Sequence, residues 1–493
     1  MELIIGLDLG TTNCKAVALA LDGSLAGSAE SSHRLISPRP GWAEQSAEEV
    51  WQGAQEVLRS VAQKVSSKDV IGLCLSGAMH SLLPVGADNL PLSPALTWAD
   101  QRALPQARAL RQKTDPHALY NRTGCPLQPL YYPARLRWWY EQDRQTFQQV
   151  ARFMGITDWL VYCLTGRWVT NYGLASGSGL LDIQSLHWDA EALALAGITP
   201  GRLPELVSPF AVLGELLPEV AKTTGLPAGL PVVAGSSDGG LANLGAGAVS
   251  PGQSVITIGT SGAVRRVVAE PLLDPAERTW CYLLAERNWF AGGAINNGGL
   301  ALQWLRQSFY PDLSAESGFD RLFQDAAGIE PGANGVTLLP YFTGERSPYW
   351  DAQVRALIYG LDLKHNRAHL ARALLEGVAF CLADVWEALK PAPMTEPAIR
   401  LTGSITRSPL WMQILADVLG ERLLPLEASD ASVAGAAMLG FQALGRAASL
   451  EQLAAHITPA PAVQPDPARH QRYLELHRHF QQLYQRLAST TGI

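Results

Sequence analysis

The chain has 493 residues, 47% hydrophobic and 17% charged, with a net charge of -7. That length exceeds a single hydrophobic core, so two large domains are expected. The negative balance, with no block or stripe of Lys and Arg, argues against nucleic-acid binding, and no run of about 18 apolar residues is present to span a membrane. The first residues lack a cationic segment and their apolar run breaks at Asp8, so no secretory signal is expected. Cys14, Cys74, Cys125, Cys163, Cys281 and Cys381 are scattered with no C-x-x-C pair, which disfavours a zinc site and fits a reduced cytoplasm.

Ile4-Ile5-Gly6-Leu7-Asp8-Leu9 reads as a buried strand, Gly10-Thr11-Thr12 as a tight turn, and Lys15 to Ala20 as the returning strand of a hairpin. A carboxylate ending a strand, followed by glycine and two hydroxyls, suits a phosphate-and-magnesium site. An ordinary hairpin with a Gly/Thr turn is the alternative. Residues 47–65 have helical spacing behind Ser46 as N-cap, and Val70 to Ser76 reads as another buried strand. Pro231 to Ser236 is a third buried strand, ending at Gly235-Ser236-Ser237-Asp238-Gly239-Gly240. Gly245-Ala246-Gly247 to Pro251-Gly252 reads as a hinge, which sets expected domains of 1–246 and 247–493.

A second copy of the first motif follows. Ser254-Val255-Ile256-Thr257-Ile258-Gly259-Thr260-Ser261-Gly262 is again strand and Gly-hydroxyl turn, continuing into Ala263-Val264-Arg265-Arg266. Two such hairpins, each near the start of a half-chain, make phosphate binding the leading reading. Helices are expected over residues 296–308, 369–389, 409–419 and 432–444, and over the amphipathic tail 467–487. Ala434-Gly435-Ala436-Ala437 requires something to pack closely, whether another helix or a purine.

These residues resemble the FGGY carbohydrate kinases, over essentially the whole chain. One family pattern is met by Ala356-Leu357-Ile358-Tyr359-Gly360-Leu361, seven residues, and His369-Leu370-Ala371-Arg372-Ala373-Leu374-Leu375-Glu376. A second survives as Arg135-Leu136-Arg137-Trp138, with Arg where Lys is usual. The adenosine-side Gly-Gly pair is Gly403-Ser404, ahead of Ser408-Pro409-Leu410-Trp411. Within the family, Ala78-Met79-His80-Ser81, Thr97-Trp98-Ala99-Asp100-Gln101-Arg102, Asn296-Asn297-Gly298-Gly299 and Gly344-Glu345-Arg346-Ser347-Pro348 are similar to stretches of gluconate kinases. The Met-His pair is shared with xylulose kinases.

The resemblance implies an α/β fold of two actin-like, ribonuclease-H-like domains flanking a nucleotide cleft. It implies transfer of the γ-phosphoryl of ATP, with Mg2+, to a hydroxyl of gluconate or, failing that, of a ketopentose or other polyol. Asp238 matches the family's base, with helix N-capping as its structural alternative. Asp8 is expected at the magnesium, or else as a turn-stabilising carboxylate. Thr11, Thr12, Asn13 and Lys15 are expected at phosphate from the first hairpin, and Gly259, Thr260 and Ser261 from the second. Lys15 facing solvent stays open. Gly403, Ser404 and Ser408 are expected at the adenosine, whose pocket would run to Gly435. Met79, His80, Trp98, Asp100, Arg102, Asp238 and Arg346 are expected at the sugar, with Arg102 or Arg346 bidentate to a carboxylate. Met79 as plain core and His80 as a structural histidine stay open. The partner is a small sugar or sugar acid, and a homodimer is left open. A chaperone or filament ATPase and a catalytically silent regulator are the competing classes; Asp8, Asp238 and the sugar-side cluster weigh against both.

Overall fold

The computed structural model describes residues 1–285, 287–426 and 430–490. Two six-stranded mixed sheets organise it. In the first, Leu3–Leu9 and Asn13–Ala20 form the expected antiparallel hairpin, with Asp8 opposite Lys15. Leu25–Ser32 extends the hairpin on its outer side, and on the other side Val70–Gly77 and Pro231–Ser237 add parallel to one another. In the second sheet, Ser254–Ile258 and Gly262–Val268 form the second hairpin, and Ile399–Gly403 lies parallel to Ser254–Ile258. Each sheet therefore has a central hairpin with parallel strands on one flank. This arrangement brings both Gly-hydroxyl turns to the ends of their central strands.

The central strands are apolar on both faces because helices cover both sides. Ala47–Ala62 packs on the first hairpin, and Ser46 caps it by accepting from the backbone N–H of Glu49. Arg367–Leu389 is buried almost throughout, as its near-continuous apolar sequence requires. Its Arg372 and Glu376 form a buried i,i+4 pair at 2.7 Å, completed by the Tyr473 hydroxyl and the Gly332 N–H. This stretch of the sequence signature thus helps hold the second half together.

Ala431–Ala443 belongs to the second half of the sequence but packs against the helix Asp238–Gly245 and the first sheet. An added Cβ at Gly435 would lie 2.0 Å from the Leu241 carbonyl oxygen, and one at Gly245 would lie 1.8 Å from that of Ala431. The small residues are there for helix contact, so the surface at Gly435 is closed to a purine. Strands Trp280–Ala285 and Asn288–Ile295, unmarked in the sequence reading, build the outer side of the second sheet. No helix among the described residues is long and apolar enough to cross a membrane.

Candidate active site

The strand Pro231–Ser237 delivers Asp238 to the first turn of the following helix, with Ser237 as the N-cap. Ser237 accepts from Gly240 N–H, so Asp238 is released from capping, and among the described residues its carboxylate accepts only from Gly239 N–H, at 2.6 Å. Burial raises the pKa of Asp238, opposed by Gly239, Arg265 and Arg346. Asp8, at the end of the neighbouring strand, is pushed up to about 7, first by burial and then by the charge of Asp238. Ser76 donates to the Asp8 carboxylate. Two carboxyl groups that repel one another in a confined site favour a shared proton or a cation between them.

A cavity of about 190 Å³ opens beside Asp238. One wall carries Met79, His80 and Trp98 from the first half; the other carries Arg265, Tyr282 and Arg346 from the second. His80 sits at a φ of 67°, a strained value for a non-glycine, and Arg135 fixes it by donating to its carbonyl. The same guanidinium reaches the carbonyls of Thr97 and Pro129, which a lysine at this position could not do together. The His80 ring contacts Nδ1 to the Gly177 carbonyl at 2.8 Å. A carbonyl only accepts, so Nδ1 carries the proton and Nε2 is a bare acceptor. Burial pushes the His80 pKa down to about 3, which keeps the ring neutral at physiological pH.

A chain of contacts crosses the cleft. Trp98 Nε1 donates to Thr11 Oγ1 at 3.0 Å, Arg346 lies 4.5 Å over the Trp98 ring, and Arg346 Nε donates to Asn296 Oδ1 at 2.7 Å. Thr260 and Ser261 line a second cavity of about 450 Å³ that shares Trp98, Ser261 and Arg346 with the first. Gly259 faces open space, and Thr12 is exposed at the first turn. Gly403 has a φ of 91° and so close an approach to Ile258 that no side chain fits. Ser404 is exposed beside it and donates to the Ile258 carbonyl.

Other expected residues lie elsewhere. Asp100 and Arg102 form a buried ion pair at 2.7 Å, joined by Glu44, and Arg102 lies 3.6 Å over the Trp42 ring. Both groups are paired inside the first half and line neither cavity, unlike the other residues expected at the sugar. The Asn13 side chain donates to Glu30 at 2.6 Å. Lys15 pairs with Asp430 from the second half, which settles that it does not face free solvent. Ser408 caps the helix Pro409–Leu419 by accepting from Trp411 N–H, which places its hydroxyl in a structural role. Sequence reasoning missed Arg265, Tyr282 and Arg135. For Arg265 a signal existed: alternation along the second hairpin separates the Arg265-Arg266 doublet onto opposite faces.

Two sheets of matching order, each with a Gly-hydroxyl turn beside one cleft, define an actin-like architecture. Models of the N-terminal and C-terminal domains of the FGGY family of carbohydrate kinases match residues 3–245 and 254–444. Similar proteins include a gluconokinase of Bacillus subtilis, 34% identical over 91% of this chain and 89% of that protein, and a xylulose kinase of the same species, 31% identical over 98% and 97%. The crystal structure of a gluconate kinase from Lactobacillus acidophilus superposes with a TM-score of 0.94 at 29% identity, covering 100% of this chain and 99% of that one. The chain belongs to the FGGY family of carbohydrate kinases and is an ATP-dependent sugar kinase.

Proposed function

We propose that this kinase phosphorylates D-gluconate at its terminal hydroxyl, giving 6-phosphogluconate, with Asp238 as general base. The observation that carries the sugar-acid reading is Arg346. It is a guanidinium on the wall of the cavity that holds Asp238, and it has no ion-pair partner among the described residues. The likeness to gluconate kinases supports the same substrate. A xylulose kinase is also similar over nearly the whole chain, so a ketopentose is the competing substrate.

In this reading Asp238 takes the proton of the attacking hydroxyl as it bonds to the γ-phosphorus, and ADP departs in line. The raised pKa of Asp238 suits proton acceptance better than an ordinary carboxylate would. His80 Nε2 accepts from a second sugar hydroxyl, and Met79 and Trp98 supply the apolar wall. The turns at Thr11, Thr12, Gly259, Thr260 and Ser261 offer N–H groups and hydroxyls to phosphate oxygens, while Gly403 and Ser404 border the adenosine. Asp8 would hold Mg2+, which supplies neutralisation of phosphate charge. The donor set fits, because magnesium carried by a nucleotide takes only one or two carboxylates and keeps its waters. Among the described residues there is no group of three or more His, Cys, Asp or Glu side chains that could hold a metal ion. The division at residues 246 and 247 and a cytoplasmic setting, supported by six free thiols, belong to the same proposal.

An ATP-coupled turnover screen over gluconate, xylulose, ribulose, glycerol and erythritol tests the reading. The highest kcat/KM is expected on gluconate. A neutral ketose used far better than gluconate contradicts it.

A further inference from the structure

The second hairpin carries two adjacent arginines with opposite fates. Arg266 turns inward, donates to the Leu389 and Ala392 carbonyls at 2.8 and 2.6 Å, and lies 4.4 Å over the Trp386 ring. Its Nε also donates to the Ser254 hydroxyl, so the group is held inside the second half at the end of the long buried helix, with one terminal nitrogen left without a partner. Arg265 turns to the other face of the strand and enters the cavity with Asp238, His80 and Arg346. Its one side-chain hydrogen bond among the described residues is to the Thr257 hydroxyl, at 3.3 Å. A hydroxyl is a weak partner for a guanidinium, which has five donors. No carboxylate forms an ion pair with it among the described residues, although Asp238 is near enough to be felt.

Arg265 and Arg346 line this cavity as two cations close enough to repel one another. Asp238 lines it with them, Glu345 in the adjoining cavity is the carboxylate whose charge acts most on Arg346, and His80 is neutral. A cation withdrawn from water without an ion-pair partner is unfavourable, so Arg265 favours an anionic occupant. The guanidinium lies against Gly239, where a Cβ would be in ordinary van der Waals contact at 3.4 Å from Arg265 Nε and 3.7 Å from its terminal nitrogen. The aromatic surfaces of Trp280, Tyr282 and Phe290 complete that wall and offer no competing anion.

We propose that Arg265 is a specificity-determining residue of this kinase, its guanidinium receiving the carboxylate of a sugar acid whose far hydroxyl lies at Asp238. Arg346, held by Asn296 and Trp98, closes on the same anion from the neighbouring wall. This inference rests on the sugar-acid reading given above. The alternative anion is the phosphoryl group in transfer, which a neutral sugar and an acid share.

The test compares gluconate with D-xylulose as acceptors for the wild type, Arg265→Gln and Arg265→Lys, at saturating MgATP. Turnover of xylulose by each variant also reports whether it is folded. In Arg265→Gln, kcat/KM on gluconate is expected to fall about 10- to 150-fold further than on xylulose, the factor of a charge-assisted hydrogen bond. Arg265→Lys should recover part of that difference. Equal losses on both substrates, with wild-type turnover of gluconate intact, would overturn the inference alone and assign Arg265 to the phosphoryl group. Equal and negligible losses would overturn it as well. Failure of the wild type to use gluconate would instead overturn the sugar-acid reading, and this inference with it.

Discussion

Asp238 occupies the first helical position after its strand, one residue beyond the cap that Ser237 provides. That single offset separates a base from a structural aspartate. Asp238→Asn keeps the side chain's shape and its hydrogen bond from Gly239 but cannot accept the proton. Turnover is expected to drop by about 10²–10⁴-fold. ATP affinity, measured by calorimetry, should stay close to that of the wild type. Turnover near the wild-type rate would remove Asp238 from the role. Residue-level roles were only partly legible in the sequence. The positions of Met79, His80, Trp98, Asp238 and Arg346 were readable because each follows a strand or lies in a family-like stretch. Asp100 and Arg102 carry the right chemistry in the same segment, yet they pair with each other and with Glu44 inside the domain. Local sequence does not show which of several nearby charged groups finds an internal partner. Arg265 is the converse case, a charge that the pleat of the strand turns into the cleft. Arg135 lies in a family-like stretch, and its reach to four carbonyls depends on loops that the local sequence does not place.

At the scale of elements, periodicity located the pieces well and their neighbours poorly. The helix expected over residues 432–444 forms as Ala431–Ala443, and the one over residues 409–419 forms as Pro409–Leu419. The helix expected from residue 296 begins only at Gly299, because Asn296 and Asn297 bind the segment around Gly344 and Glu345. Strands Trp280–Ala285 and Asn288–Ile295 escaped notice, since two buried apolar runs separated by a short turn carry no distinctive alternation. The partner of the small-residue helix was also hidden, because its contact lies almost two hundred residues away in the sequence. Gly435→Ala tests that contact. Its new methyl meets the Leu241 backbone, so stability should fall by about 1–3 kcal/mol or more, measured by chemical denaturation. Activity should fall too, because the displaced helix begins at Asp238. A variant as stable as the wild type would show that the two helices separate at little cost.

Across the whole molecule, the two halves are joined on one side by buried contacts. The Tyr131 and Tyr282 hydroxyls meet at 2.6 Å, Leu283 N–H donates to Ser176, and Ser236 donates to the Leu284 carbonyl. On the outer rim the link is exposed, as in Arg108 to Gln353 at 3.1 Å. This asymmetry suits closure about the buried side. Small-angle scattering should show a smaller radius of gyration with a non-hydrolysable ATP analogue and gluconate together than with neither. Equal dimensions would indicate a preformed site. The doubled hairpin made the two-part architecture legible from the start, whereas the stitched side depends on contacts far apart in the chain. The central claim is that this cleft moves phosphate from ATP to the hydroxyl at the far end of a sugar acid from its carboxylate. Phosphorus and carbon NMR of the product formed from gluconate and MgATP tests it most directly. The account predicts a phosphate monoester whose phosphorus couples to the terminal carbon, C6. Phosphate on any other carbon, or no phosphorylated gluconate while a ketose is converted, would contradict it.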